Sequence, residues 1–232
     1  MNSNIVICNR VSKIYCQGKL EVKALQTVDL TLERGEFVAL AGPSGSGKTT
    51  LLNLIGGLDT LTSGSIEVEG QDLSLLTNAR LTELRLQRIG FIFQAYNLIP
   101  VLSAQENVEY VMLLQGIPAK ERKEKARAIL KEVGLDGMQK RRPAELSGGQ
   151  QQRVAVARAI VSDPAIVLAD EPTANLDSST ASSLLDMMLE LNQTKNITFI
   201  FSTHDQQVME YAQRLILLHD GQISEDRLQH QS

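Results

Sequence analysis

The first hundred residues alternate between short apolar runs and glycine-bearing turns, a spacing that predicts strands more than helices. Residues 4–15 and 26–41 alternate or run apolar, with turns at Gly18 and at Arg34-Gly35. The run EFVALA at 36–41 leads straight into a glycine-rich segment and then into TTLLNLIGGL, which predicts a helix. Residues 65–69 and 89–93 (IGFIF) read as further strands. The period then changes. Residues 104–134 read as helical, with Ala126, Ile129, Leu130 and Val133 on one face and Gly134 placed as a C-cap. From Ser147 another helix runs to about Val161. Strand character returns at 166–170 (IVLAD), 197–202 (ITFIFS) and 214–220 (RLILLHD), with a helix at about 178–192 between the first two. The tail after Gly221 is polar and is expected to fray. There is no internal repeat and no low-complexity linker, so the pattern predicts an α/β core interrupted by a helical insertion.

Composition narrows the class. Apolar residues make up 43% of the 232 and charged residues 22%, as in ordinary globular proteins. No stretch approaches the ~18 consecutive apolar residues that a membrane span needs. The start, MNSNIVICNR, lacks the basic and then long apolar pattern of a signal peptide, so a cytoplasmic chain is expected. Cys8 and Cys16 have no metal-ligand spacing and read as free thiols in a reducing compartment. The net charge of −4 argues against nucleic-acid binding. Residues 118–142 nonetheless hold nine Lys/Arg against four Asp/Glu, a local +5 that leaves −9 on the remainder. Two readings stand: a solvated helix face with a basic loop, or a docking surface for an acidic or membrane-proximal partner.

Chemistry enters at residues 42–49. Gly42, Pro43, Ser44, Gly45, Ser46, Gly47, Lys48 and Thr49 match GxxxxGK[ST] in full, and Thr50 follows. Glycines let the backbone wrap so that several N–H groups face one phosphate chain. The helix that follows adds the partial positive charge of its N-terminus. Lys48 can reach the β- and γ-phosphates, and the Thr49 hydroxyl can ligate Mg²⁺. Further along, the apolar run IVLAD ends on Asp170, with Glu171 next. Two acids closing a buried run are costly unless cations or hydrogen bonds meet them. Asp170 fits a Mg²⁺-holding role and Glu171 a general base acting on water. An acidic turn leading into Pro172 is the plainer alternative.

A second glycine stretch, LSGGQ, occupies residues 146–150. Ser147 is an N-cap residue, with Gly148 and Gly149 in the first turn and Gln150 after them. Such a turn is either a simple cap or a second anion site.

With LSGGQ just before the acid-ending strand, the chain resembles the ATP-binding-cassette ATPases over essentially its whole length. Seven elements fall in the family's order. Besides the phosphate loop, LSGGQ and IVLADE, they are Tyr15 in SKIYCQG, Gln94 in FIFQAYNLIP, Asn175-Leu176-Asp177, and His204 in FSTHD. The resemblance implies a P-loop NTPase (RecA-like) core with an antiparallel β subdomain and an inserted α-helical subdomain. It makes residues 1–232 one nucleotide-binding domain, with 1–94 and 160–232 as the core and 95–159 as the helical part. It implies ATP and Mg²⁺ as ligands, Tyr15 against adenine, and Thr49, Gln94 and Asp170 around the metal. Glu171, His204 and Gln94 take the catalytic roles. Ser147, Gly148, Gly149, Gln150 and Asp177 would act across a head-to-tail dimer, on ATP held by a second copy or a sibling ATPase.

More narrowly, GPSGSGKTTLLNLIGGLDTLTSG, FQAYNLIPVLSAQENV and ADEPTANLD look like the ATPases of lipoprotein-releasing systems and of macrolide or peptide exporters. That resemblance implies a peripheral protein on the cytoplasmic face of the inner membrane, driving a separate permease with a large extracytoplasmic domain. A periplasmic or membrane-fusion protein is a further implied partner, and nucleic acid is not. The segment AYNLIPVLSAQENVEYVMLLQ would line the groove where the permease docks. A non-transport cassette ATPase remains the alternative, either a cell-division regulator or a soluble repair or translation factor. Members of the soluble class usually carry long coiled coils or two linked cassettes, and this chain has neither.

Overall fold

The computed structural model describes residues 3–18 and 20–229. In chain order the elements are β1 (Asn4–Gln17), β2 (Leu20–Glu33), β3 (Phe37–Ala41), α1 (Lys48–Ile55), β4 (Ser63–Val68), β5 (Gln71–Asp72), α2 (Asn78–Arg88), β6 (Ile89–Ile92), α3 (Ala104–Leu114), α4 (Ala119–Glu132), α5 (Gly148–Ile160), β7 (Ile166–Asp170), α6 (Ser178–Lys195), β8 (Thr198–Thr203), α7 (Gln206–Tyr211), β9 (Arg214–His219) and β10 (Gln222–Leu228).

Six strands form one sheet in the order β10-β9-β3-β8-β7-β6. All its pairs are parallel except β10 with β9. Successive side chains of a strand face opposite sides, and here each side meets its own core. Phe37, Val167, Ala169, Phe199 and Phe201 pack with Val108, Leu130, Val156 and Leu184 from α3, α4, α5 and α6. Val38, Leu40, Ile166, Leu168 and Ile200 pack with Leu51 and Leu54 of α1 and with Ile5, Leu32 and Ile66. Those last three belong to a second, four-stranded sheet in the order β2-β1-β4-β5, antiparallel throughout. A parallel sheet covered on both faces reads as unbroken apolar runs, and β3 and β8 are buried at every position. This is the P-loop NTPase fold: an α/β core, an antiparallel sheet on one face, and α3, α4 and α5 inserted between β6 and β7.

The structure differs from the sequence expectations in several places. The helix expected from TTLLNLIGGL stops at Ile55, because Gly56 caps it and Gly57 turns to φ 61°. The helical stretch 104–134 is two helices, broken where Gly116 takes φ 76° and Pro118 precedes α4. The polar stretch from Leu20 is already strand, paired through Tyr15↔Val22 and Gln17↔Leu20. The tail after Gly221 does not fray as far as Leu228. It returns as β10 on β9 through a two-residue turn, with Asp220 at φ 48° and Gly221 at φ 76°. Asp-Gly suits such a turn because both positions need positive φ. Arg214 holds the returning strand through two 2.8 Å bonds to Asp226. Residues 230–232 of that tail lie outside the described residues.

One polar cluster ties the two sheets together. Glu69, just after β4, accepts from Arg34 after β2 at 2.7 Å and from Arg88, which runs into β6, at 2.5 and 2.7 Å. The Arg88 hydrogen bonds, opposed by burial and aided by Arg34, hold the Glu69 carboxyl below its usual range. Glu69→Gln keeps the shape and removes the charge, leaving two guanidiniums facing each other. It should destabilise the chain by roughly 1–3 kcal/mol at neutral pH, read from urea unfolding. A carboxyl whose pKa is depressed by folding contributes stability that is present above its unfolded value and lost as pH falls through the folded one. The gap between wild type and Glu69→Gln should therefore close as the pH drops below the ordinary value of 4.5. A gap that stays constant over that window would show that the charge is not what links the sheets.

Candidate nucleotide site

Strand register decides where the polar residues meet. Ala41 at the end of β3 pairs with Thr203, Ser202 of β8 pairs with Asp170, and Ala169 of β7 pairs with Ile92 of β6. Four carboxyl ends thus lie side by side. Each is followed at once by a residue that the sequence singled out: Gly42, His204, Glu171 and, two beyond β6, Gln94. They open on a cavity of about 680 Å³ lined by Pro43, Ser44, Gly45, Gly47, Lys48, Thr49, Thr50, Gln94, Glu171 and His204, together with Val22, Lys23 and Ala24 of β2.

The phosphate loop has a shape that only glycine permits at its two ends. Gly42 sits at φ 146°, and a Cβ there would strike the Leu218 carbonyl of β9. Gly47 sits at φ 104°, and a Cβ there would lie 2.6 Å from the Ala24 carbonyl of β2. Gly47 is also the N-cap of α1, so the helix's first N–H groups, which have no intrahelical partner, open at the loop. Lys48 is largely buried, and its ammonium donates to Gly42 O at 2.8 Å and Pro43 O at 2.9 Å. The Ser46 hydroxyl is buried without a hydrogen-bond partner among the described residues. A loop of converging N–H donors, a buried ammonium and an unpartnered hydroxyl is a cradle for a polyanion.

Beside the cradle, Thr49 Oγ1 donates to Asp170 Oδ1 at 3.0 Å. A hydroxyl and a carboxylate oxygen so close, with Gln94 lining the same cavity, form an oxygen donor set that suits Mg²⁺. Next to them, Glu171 Oε1 lies 2.6 Å from His204 Nδ1, and Thr203 Oγ1 donates to Glu171 Oε2 at 3.4 Å. Glu171 has φ 47°, an unfavourable conformation for a residue with a Cβ. Its N–H is held by Ser202 O at 2.9 Å. The backbone therefore turns at the first residue after β7 and aims the carboxylate at the histidine.

Tyr15 stands near this cavity and is not part of its wall. Its hydroxyl donates to Asp59 Oδ2 at 2.7 Å, and Thr50 is a further partner. Gln94 is held through its backbone, where its carbonyl accepts from Asn175 Nδ2 at 2.9 Å. Arg158 of α5 clasps the turn that follows it, donating to the carbonyls of Tyr96 and Asn97.

The LSGGQ residues are elsewhere. Ser147 and Gln150 form a reciprocal capping box at the start of α5, with Ser147 Oγ accepting from Gln150 N at 3.3 Å and Gln150 Oε1 from Ser147 N at 3.0 Å. Gly148 and Gly149 face Tyr96 and Thr180 respectively. None of the four lines the phosphate cavity. Asp177 caps α6, where hydrogen bonds from Ser179 and Thr180 hold its carboxyl well below the usual range. Both segments are thus ordered helix starts outside their own chain's nucleotide cavity. Sequence reasoning missed Val22, Lys23 and Ala24, which reach the cavity only through the β1–β2 register. It also missed Gly221, whose N–H donates to Ser46 O at 3.1 Å. Its Asp-Gly dipeptide was the available signal.

The chain is similar to known proteins over nearly its whole length. The ABC transporter family matches residues 25–174. The lipoprotein-releasing system ATP-binding protein LolD of Legionella pneumophila (strain Paris) is 45% identical over 96% of this chain and 98% of its own length. The macrolide export ATP-binding/permease protein MacB of Hyphomonas neptunium is 47% identical over 97% of this chain, which spans only 35% of that protein. A solved dimeric cassette, MJ0796, in a post-hydrolysis state bound to ADP and Pi, superposes with a TM-score of 0.90 at 39% identity, covering 98% of this chain and 100% of that one. The glycine cradle, the Thr49–Asp170 and Glu171–His204 pairs and these relatives together make the chain a member of the ABC transporter family, an ATP-binding and ATP-hydrolysing cassette.

Proposed function

We propose that the chain is the engine of an exporter or extractor of lipoprotein, peptide or drug, working as an ATP-bound dimer beneath a separate membrane subunit. The observation that carries this reading is the separation of the two glycine segments. Each chain has a complete phosphate cradle and, outside it, a complete LSGGQ helix start. A second copy or a sibling ATPase, placed head to tail, brings Ser147, Gly148, Gly149 and Gln150 to the γ-phosphate side and Asp177 to the shared interface.

In this reading the 42–50 loop and Lys48 hold the phosphates, and Tyr15 stacks on the base. Thr49, Asp170 and Gln94 hold Mg²⁺, which when bound neutralises phosphate charge. Glu171 takes a proton from water as it attacks the γ-phosphorus. His204, already 2.6 Å from Glu171, orients that carboxylate and contacts the phosphoryl group. Such catalysis is mostly positioning and electrostatics. Glu171→Gln should bind ATP, lose roughly 10²–10⁴-fold in hydrolysis rate and accumulate as dimer with ATP, measured by phosphate release and size exclusion. Full activity in that variant would remove Glu171 from its role. Lys48→Ala should weaken ATP binding by about tenfold or more, read by calorimetry, and unchanged affinity would count against the cradle.

The partner side also has a place in the fold. A cavity of about 380 Å³ opens between β6, α2, α3 and α5, walled by Leu58, Leu86, Phe91, Phe93 and Val111, with Arg85 and Arg158 at its edge. No described helix is long and apolar enough to cross a membrane, and in this reading the membrane subunit supplies the transport path. A permease segment with an apolar face and an acidic residue suits this cavity, and the permease would carry the large extracytoplasmic domain, with a periplasmic or membrane-fusion protein beyond it. The cassette then sits on the cytoplasmic face of the inner membrane. Tagged Glu171→Gln, purified from detergent-solubilised membranes with ATP and Mg²⁺, should bring down a multi-span protein in stoichiometric amount. Adding Leu86→Asp should lower that recovery about tenfold. A soluble partner, or recovery indifferent to Leu86, would favour the non-transport reading.

A further inference from the structure

Asp59 lies just beyond the far end of α1, the helix whose first turn closes the phosphate loop. Its two carboxylate oxygens are fully engaged. Oδ2 accepts from the Tyr15 hydroxyl at 2.7 Å, and Oδ1 accepts from Lys13 Nζ at 2.7 Å and from the Thr60 N–H at 2.7 Å. Lys13 also donates to Thr60 O at 2.6 Å, and its ammonium stands 4.7 Å from the centre of the Tyr15 ring. Lys13 is only 8% exposed, whereas Tyr15 is 37% exposed. A buried ammonium needs a fixed counter-charge; a half-exposed tyrosine on a strand ordinarily needs no tether. Here the ring is held at both its hydroxyl and one face.

We propose that Asp59, backed by Lys13, is a positioning residue for nucleotide binding: it locks the Tyr15 ring as a preset stacking platform in register with the phosphate loop. This rests on the reading of Tyr15 as the base-stacking residue. The register follows because the Tyr15 hydroxyl meets Thr50 in the first turn of α1 as well as Asp59 beyond its far end, so the ring is placed against the helix that closes the phosphate loop. Lys13 occupies one ring face through a cation–π contact, which leaves the other for a base. The tether is durable near neutral pH. Burial pushes the Asp59 carboxyl up, but the bonds from Lys13, Tyr15 and Thr60 outweigh it and keep the group below the usual carboxylate range. Burial, then the bond to Asp59, pushes the Tyr15 phenol up, so its donated proton stays in place.

Immobilising one free side chain costs binding roughly 2- to 10-fold, and that is the loss expected when the tether is cut. In the full chain, Asp59→Ala and Tyr15→Phe should each raise the ATP Kd by about that factor. The double variant should be no weaker than the weaker single, because both remove the same bond. At saturating ATP, kcat of Asp59→Ala should stay within about twofold of wild type while KM rises, a split that general loss of structure does not give. Wild-type affinity in Asp59→Ala, or effects that multiply in the double variant, would overturn the proposal. Tyr15→Ala separates the two levels, since it should lose roughly 5-fold or more through stacking itself. If Tyr15→Ala binds ATP normally, the base-platform reading fails and the tether has no task. If Asp59→Ala does not fold, Tyr15→Phe cuts the same bond from the other end and leaves the Lys13–Asp59 pair in place, and its Kd decides.

Discussion

A parallel sheet covered on both faces can present polar chemistry only at the ends of its strands. That constraint governs this protein. The strands β3, β8, β7 and β6 are flanked by two separate apolar cores, and Asp170, Glu171, Thr203, His204 and Gln94 all lie at or just past a carboxyl end. The pairing Ala41↔Thr203, Ser202↔Asp170, Ala169↔Ile92 fixes those ends relative to one another. A slip of one residue in any pair would turn its side chains to the other core and carry its site residue away. The same hydrophobic alternation that stabilises the sheet therefore sets the distance between Thr49 and Asp170 and the placing of Glu171 beside His204.

The phosphate loop depends on a second, less obvious support. Its glycines are required by neighbours as well as by phosphate. The Leu218 carbonyl of β9 presses on Gly42, and the Ala24 carbonyl of β2 presses on Gly47. Between them the β9–β10 turn donates from Gly221 to Ser46 O, and accepts at Gly221 O from Gln26. The loop is thus clamped by one strand from each sheet and by a hairpin turn. Backbone amides aimed in advance lose no ordering entropy when an anion arrives. The edge hairpin at the end of the chain is part of the nucleotide site's rigidity although it contributes no side chain to the cavity.

Much of this was legible in the sequence where chemistry and periodicity coincide. The GxxxxGK[ST] loop, the apolar run ending in Asp170-Glu171, and His204 after a strand all carry local signals, and the core strands announce themselves as unbroken apolar runs. What was not legible depends on pairing or on shallow burial. The α2 helix buries only Leu84 and α7 only Val208, so neither has an apolar stripe to detect. β10 is nearly all exposed and is held by Arg214–Asp226 and by its turn; polarity there looked like fraying. Lys13, Asp59 and β2's part in the cavity wall arise from contacts between residues far apart in sequence, which no window of sequence contains.

The geometry also connects the nucleotide cavity to the second cavity, the one beside Arg158. Gln94 lines the first, and its carbonyl is tied to Asn175 in the stretch leading to Asp177. The next residues, Tyr96 and Asn97, both take positive φ, at 60° and 49°, a costly arrangement for residues with side chains. Their carbonyls are held by Arg158, which burial keeps below its usual pKa range and which also lines the second cavity. Arg158 lies on α5, the same helix that Ser147 begins. A strained turn held from one side chain has two natural arrangements, clasped or released. A ligand that moved Gln94 would shift that balance, and by reciprocity so would a segment entering the cavity beside Arg158. A link between the two cavities therefore needs no long-range distortion of the sheet. It needs only that one short turn, placed between the carboxyl end of β6 and the start of α3, answer to both cavities at once.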